Sequence, residues 1–348
     1  MKKSSLIILL LSFTIILTAQ QKIVPKPQTV KHVEKNAETP SGKFIGSLFN
    51  DFSYVLQEPQ PSNTAKGISG PNAFGIRRAS VGYLHSFNKN VTAKIEYDAN
   101  ANTLLQGFVD VRNIVTQVDL KVGAVQTLSS EVVEKIWDYR SMEASVLDRK
   151  AYAHEFDRGI TITGRTDAHG TMYARFAVYN GNGTAAENNK VKKLAFAFGT
   201  WLDKSSVLEA YVDFENLPAG KNILMGKVFY GMVSSTMALG AEAFYRLEKK
   251  MNLTNGKTVN PVGVSVFTWL EMTRSLRGIL RFDGVENDLA ETKVGHRELY
   301  VNAGIDYMPV PDVHIIPNLI YTKNLKKGTT PEIADRIEAR LTTAVTIK

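Results

Sequence analysis

Val91-Thr-Ala-Lys-Ile-Glu-Tyr-Asp98 is the stretch on which the fold turns. Its odd positions, Val91, Ala93, Ile95 and Tyr97, are apolar, and its even positions, Thr92, Lys94, Glu96 and Asp98, are polar or charged. A period of two belongs to a β-strand whose faces meet different surroundings. The rhythm continues on both sides. Upstream, across the short turn Asn88-Lys89-Asn90, Ala79, Val81, Tyr83 and Phe87 oppose Arg78, Ser80 and Ser86. Downstream, Leu105, Val109 and Val111 oppose Gln106, Asp110 and Arg112; then Val118, Leu120, Val122 and Ala124 oppose Asp119, Lys121 and Gly123. A slip of one residue would carry every one of these charges to the apolar face, so the facing is strongly specified.

The pattern resumes after residue 156 and runs to the end of the chain. Ile160 and Ile162 oppose Thr161, Thr163 and Arg165; Met172, Ala174, Phe176 and Val178 oppose Tyr173 and Arg175; Leu208, Ala210, Val212 and Phe214 oppose Glu209, Tyr211 and Asp213. Further strands are expected at 222–233, 236–247, 262–271, 276–284, 295–307, 312–322 and 335–348, with a first one from Phe44 to Tyr54. The breaks between them alternate between short and long. Units of about ten alternating residues, joined by turns of alternating length, are the signature of a transmembrane antiparallel β-barrel. The expected fold is therefore all-β, about 16 strands over residues 43–348, with one face in lipid and the other lining a lumen. Tyr54, Phe87, Tyr97, Phe214, Tyr307 and Tyr321 fall near strand ends on the apolar face, where interfacial girdles form.

Residues 1–19 read as a signal peptide. Lys2 and Lys3 precede the apolar run Leu6–Leu17, and small residues before Gln20 suggest cleavage after Ala19. That run is shorter than the ~20 residues a membrane helix needs. Residues 20–42, rich in Lys, Pro, Gln and Thr, read as a flexible periplasmic tail. Of the formal charge of +8, a net +5 lies before Phe44. Two of the excess charges are Lys2 and Lys3, and residues 20–43 hold five lysines against Glu34 and Glu38. What remains is spread over the barrel without a basic, aromatic-interleaved patch, so no nucleic-acid partner is expected. The chain has no Cys, which removes disulfides and thiolate metal sites. Its six His are scattered without ligand spacing, so no metal, cofactor or catalytic residue is expected.

A polar lumen inside a lipid-facing barrel suggests a passive channel for small hydrophilic solutes. The longest connection, 128–156, follows the fifth strand. It carries a helix-like start at Ser129-Ser130-Glu131 and helically spaced Val132, Val133, Ile136 and Trp137, then Arg140, Arg149 and Lys150. Such a stripe can pack on the inner wall, fold the loop inward as a constriction and point its charges at solute; an external lid is the competing arrangement. Around it lie the inward cations Arg78, Lys94, Arg112, Lys121, Arg165 and Arg175. Basic rings favour anions. Inward carboxylates such as Glu96, Asp110, Asp119, Glu209 and Glu298 nearly balance the total, so the expected preference for anions is moderate and local. A secreted soluble β-sandwich binding glycans or surfaces, and a non-conducting adhesive barrel, are the rival readings.

Phe74-Gly-Ile-Arg-Arg-Ala-Ser-Val-Gly-Tyr83, Gly107-Phe-Val-Asp-Val-Arg112, Leu120-Lys-Val-Gly-Ala-Val-Gln126, Tyr139-Arg-Ser-Met-Glu-Ala-Ser145 and Val178-Tyr-Asn-Gly-Asn-Gly183 occur in this order. In that order the chain resembles the phosphate-selective porin O and P family of outer-membrane channels. The resemblance implies a sixteen-stranded homotrimer in outer-membrane lipid whose inward arginines pass small anions such as phosphate. The Arg77-Arg78 pair and Arg140 are its matching positions. The chain departs from the family's pattern in ending Thr346-Ile-Lys348 rather than on an aromatic, and in a lumen rich in carboxylates.

Overall fold

The computed structural model describes residues 40–58, 72–251 and 256–348. The expected signal peptide and nearly all of the expected tail therefore lie outside the described residues. Within them, sixteen strands form one closed antiparallel barrel. They are β1 (Ser41–Gln57), β2 (Asn72–Asn88), β3 (Val91–Asp98), β4 (Thr103–Val115), β5 (Val118–Gln126), β6 (Phe156–Arg165), β7 (Met172–Tyr179) and β8 (Lys193–Trp201), followed by β9 (Ser206–Asn216), β10 (Asn222–Val233), β11 (Met237–Lys249), β12 (Val262–Thr273), β13 (Leu276–Glu286), β14 (His296–Val310), β15 (Val313–Lys326) and β16 (Arg336–Ile347). Each pairs with its neighbours in sequence, and β16 returns to β1, from Gly46 opposite Ile347 to Gln57 opposite Ile337. Closure leaves no edge strand whose amides would need water, the condition for crossing a bilayer with strands. One closed sheet also has no second sheet to pack against, which removes the β-sandwich reading.

β1 begins at Ser41, two residues before the expected barrel start, because Ser41 and Gly42 already pair with Ser86 and His85. Both chain ends of the barrel meet the short turns. These turns close through their own side chains: Asn88 Oδ1 accepts from the Asn90 and Val91 amides, and Asp203 Oδ1 from those of Ser205 and Ser206. The alternation holds on most of the wall. Val109, Val122, Ile160, Leu208 and Val264 are exposed outward, while Asp110, Thr161, Glu209 and Ser265 are buried inward. Register shifts interrupt it at seven places, and two of these bulges redirect side chains named above. Phe49 faces Arg78 and Asn50 faces Ile76, so Arg77 is an extra residue that the partner strand does not match. A bulge lets consecutive side chains share a face; Arg77 reaches Asp51 and Arg78 reaches Glu155, both inside. The second bulge corrects one expectation. Glu96 faces Gln106 and Tyr97 faces Leu104, so Leu105 drops out of the lipid-facing row and is buried.

The inner face is less polar than alternation alone suggested. Phe229, Phe267, Trp269, Ile279 and Ile316 occupy inward positions on β10, β12, β13 and β15, and all are buried. What covers them is the connection between β5 and β6, residues 127–155. It carries two short helices, α1 (Glu131–Trp137) and α2 (Val146–Arg149), and folds into the lumen with α1 against β10 and β11.

Candidate functional site

The inward loop is held by two means. The first is apolar. Val132, Val133, Ile136, Trp137, Tyr139 and Met142 pack with the inward apolar residues of β9 to β15, and Trp137 lies 5.0 Å from the Phe267 ring centroid. Leu128, Val146, Leu147 and Ala153 make a second cluster with Ala177, Tyr179, Ala195 and Met225 on β7, β8 and β10. Spacing of 3.6 residues puts Val132, Val133, Ile136 and Trp137 on one side of α1. Ser130 stands at its N-cap without a capping side-chain bond; the hydroxyl instead reaches the Thr127 and Glu155 carbonyls. Asp138, with φ of 58°, ends the helix.

The second means is polar, and it uses the wall's cations. Arg77 donates to the Ser141 carbonyl, Arg281 to Ala144, Arg340 to Met142, Arg246 to Tyr152 and Lys227 to Ser129. Buried carbonyls left without donors would cost more than these bonds gain, so such clasps fix the loop backbone. Sequence spacing did not expose them, because each depends on which strand the loop crosses.

Of the nine cations singled out from sequence, most are paired. Arg78 Nη2 lies 2.7 Å from Glu155 Oε2, and Arg140 Nε lies 2.8 Å from the same oxygen. Arg140 also meets Glu134 at 2.7 Å and Asp148. Burial disfavours its charge, yet Glu134, Glu155 and Asp148 outweigh that and hold its pKa above the ordinary value. Arg149 bridges Asp283 at 3.0 Å and Glu298 at 2.8 Å, and Lys150 shares Glu298 at 3.1 Å. Lys94 pairs with Glu96, Arg165 with Asp119, and Arg175 with Glu131 and Glu209. Arg112 is 3.7 Å from Asp110 with its side chain 57% exposed. Lys121 has no carboxylate within ion-pair reach among the described residues; its Nζ lies 5.0 Å from the Phe108 ring centroid. Arg149 and Lys150 therefore turn to carboxylates of the wall and Arg140 to those of the loop itself, rather than to open solvent as expected.

α1 separates two cavities. The first, about 380 Å³, lies between the helix and β4 to β8, with Glu131, Lys135 and Ile136 on the helical side and Lys121, Arg165 and Trp201 on the wall. The second, about 740 Å³, meets Glu134 and the following Asp138 and Arg140, with Arg78, Arg277 and His314 across from them. Both reach short-turn residues: His169 and Gly170 in one, Ser275 and Pro311 in the other. Lys135 was missed from sequence, although it sits on the polar side of the same helical stripe that marked Ile136 and Trp137.

No family model matches the sequence, and no curated protein matches it either. Solved structures do match the fold. OmpT of Vibrio cholerae superposes with a TM-score of 0.64 at 10% identity, covering 90% of this chain and 99% of that one; OmpT has also been solved in a trimer form. An anion-selective porin from Comamonas acidovorans gives 0.63 at 10%, with 88% and 100% covered. The outer-membrane channel DcaP of Acinetobacter baumannii gives 0.63 at 12%, with 89% and 98% covered. At such identities the likeness is one of fold: this chain shares the closed antiparallel barrel of those outer-membrane proteins.

Proposed function

We propose that this chain is an outer-membrane porin, a passive diffusion channel for small hydrophilic solutes with a moderate preference for anions. The observation that carries this reading is the unequal pairing of charge around the inward loop. Arg78, Arg140, Arg149, Lys150, Arg165 and Arg175 are matched by carboxylates, whereas Lys121 and Lys135 are not matched among the described residues. Paired cations contribute little net field in a lumen; unpaired ones set its sign. The nine cations named from sequence thus divide into three groups. Arg112 and Lys121 face solute, whereas Arg78, Arg140, Arg149, Lys150 and Arg175 fix the loop that narrows the lumen, and Lys94 and Arg165 pair within the wall. Phosphate specificity is not part of the proposal, because Arg77, Arg78 and Arg140 are taken up by Asp51, Glu155 and Glu134.

Export through a leader cleaved near Ala19 to the outer membrane, and assembly as a homotrimer, complete the reading. They draw on the sequence and on the trimer form of the similarly folded OmpT. The test is planar-bilayer recording in a salt gradient. The wild type is expected to conduct with a reversal potential on the anion side, and the double substitution Lys121→Gln, Lys135→Gln is expected to move it toward cations. Zero conductance at high protein load would sink the channel reading in favour of an adhesive barrel.

A further inference from the structure

We infer that the cavity between α1 and β4 to β8 binds a flat organic monoanion of the aromatic carboxylate type. The inference deepens the channel reading by naming a solute class for one part of the lumen.

Charge is the first argument. Five cations line the cavity, Arg112, Lys121, Lys135, Arg165 and Arg175, against three carboxylates, Asp110, Asp119 and Glu131. Arg165 takes Asp119 at 2.8 Å, Arg175 takes Glu131 at 2.8 Å and also Glu209 outside the cavity lining, and Arg112 stands 3.7 Å from Asp110. The excess is Lys121 and Lys135. Each ammonium has only a ring for company, Lys121 at 5.0 Å from the Phe108 centroid and Lys135 at 5.8 Å from that of Trp201. A ring face attracts an ammonium far less than a carboxylate does. The cavity therefore lacks an anion.

Donors are the second. The buried Nε atoms of Arg165 and Arg175 have no acceptor among the described residues. Unmade buried bonds are costly, and a carboxylate offers two oxygens with about four acceptor sites between them.

Shape is the third, and it distinguishes an organic anion from a bare inorganic one. Val132 of α1 borders the same space as Tyr173 and Trp201, with the fully buried Ile136 beside it. The Tyr173 ring lies flat on the wall because Gly199 is beneath it; a Cβ there would sit 2.2 Å from Tyr173 Cζ. An apolar strip of Val132, Tyr173 and Trp201 within a charged lining, in a volume of about 380 Å³, falls in the size range of small-molecule sites. Chloride or phosphate would leave that strip unused.

The purified barrel in detergent can be titrated with sodium benzoate by calorimetry at low salt, with sodium acetate and benzylammonium chloride as comparison probes. Benzoate is expected to saturate, and acetate to bind roughly tenfold more weakly for want of ring contacts. Benzylammonium is expected not to saturate. Lys135→Gln and Trp201→Leu should each weaken benzoate roughly tenfold, one through charge and the other through the ring. Heat-modifiable gel migration identifies variants that keep the barrel. Equal binding of benzoate and acetate, or benzoate affinity unchanged in both folded variants, overturns the site. Because binding is read without a membrane current, the two readings fail separately. Conductance without benzoate binding removes the site alone, and benzoate binding without conductance removes the channel alone.

Discussion

Arg140 and Lys121 are both lumenal cations, and their surroundings assign them different work. Arg140 meets Glu134, Glu155 and Asp148, two from the loop itself and one where the loop rejoins β6. Removing its guanidinium leaves three carboxylates facing one another with little water, and breaking a buried pair of this kind costs about 3–5 kcal/mol. Arg140→Ala is accordingly expected to lower the urea midpoint of the barrel and to open the loop to trypsin. Lys121 leaves no orphaned partner when it is changed. Lys121→Gln should keep stability within about 0.5 kcal/mol, as surface-like changes do, while moving the reversal potential toward cations. Measuring both quantities on both variants is decisive: an Arg140→Ala barrel of unchanged stability and protease resistance would mean that the guanidinium does not brace the loop.

One level up, the loop behaves as a piece of core laid inside a barrel. Trp137 is fully buried, donates its indole N–H to the Glu143 carbonyl at 2.9 Å and packs on Phe267, with the Arg281 guanidinium 5.5 Å from its ring centroid. Truncating a buried Trp removes about 3–5 kcal/mol of packing. Trp137→Ala should therefore release the constriction, seen as larger and noisier single-channel conductance together with cleavage between residues 137 and 150; quiet, unchanged currents would show that Trp137 does not hold it. How much of this was legible beforehand follows from which signals are local. The strand β3 was readable to the residue, since its charges alternate without exception. The stripe of α1 was readable because helical spacing is carried within seven residues. Its receivers were not: Phe229, Phe267 and Trp269 look like ordinary strand residues until the opposite side of the lumen is known. Arg77 as a bulge needed the partner strand, because only the count on β1 reveals the extra residue. The pairing of Arg78 with Glu155 spans 77 positions, and nothing in either neighbourhood announces it.

For the molecule as a whole, the two solvents of the barrel make a measurable pattern. Val109 faces Val122 and Val122 faces Ile160, forming an outward row across β4, β5 and β6 with exposures of 45%, 42% and 44%. One residue along, Asp110 faces Lys121 and Lys121 faces Thr161, an inward row that reaches the first cavity. The outward aromatics extend the same order to the ends: Phe87 and Tyr307 lie toward the short turns, and Tyr54, Tyr97 and Phe214 toward the long connections. Side chains in lipid meet dissolved oxygen and exclude charged or strongly polar reagents, whereas those in a lumen do the reverse. Nitroxides placed singly at Val109, Val122 and Ile160 in liposomes should relax with oxygen and ignore a water-soluble nickel chelate. A nitroxide at Lys121 should respond chiefly to the chelate, and adding sodium benzoate should slow its motion if the cavity fills as inferred. Should the three outward labels prove as accessible to the chelate as the one at Lys121, the row would face water on both sides and the chain would not span a bilayer.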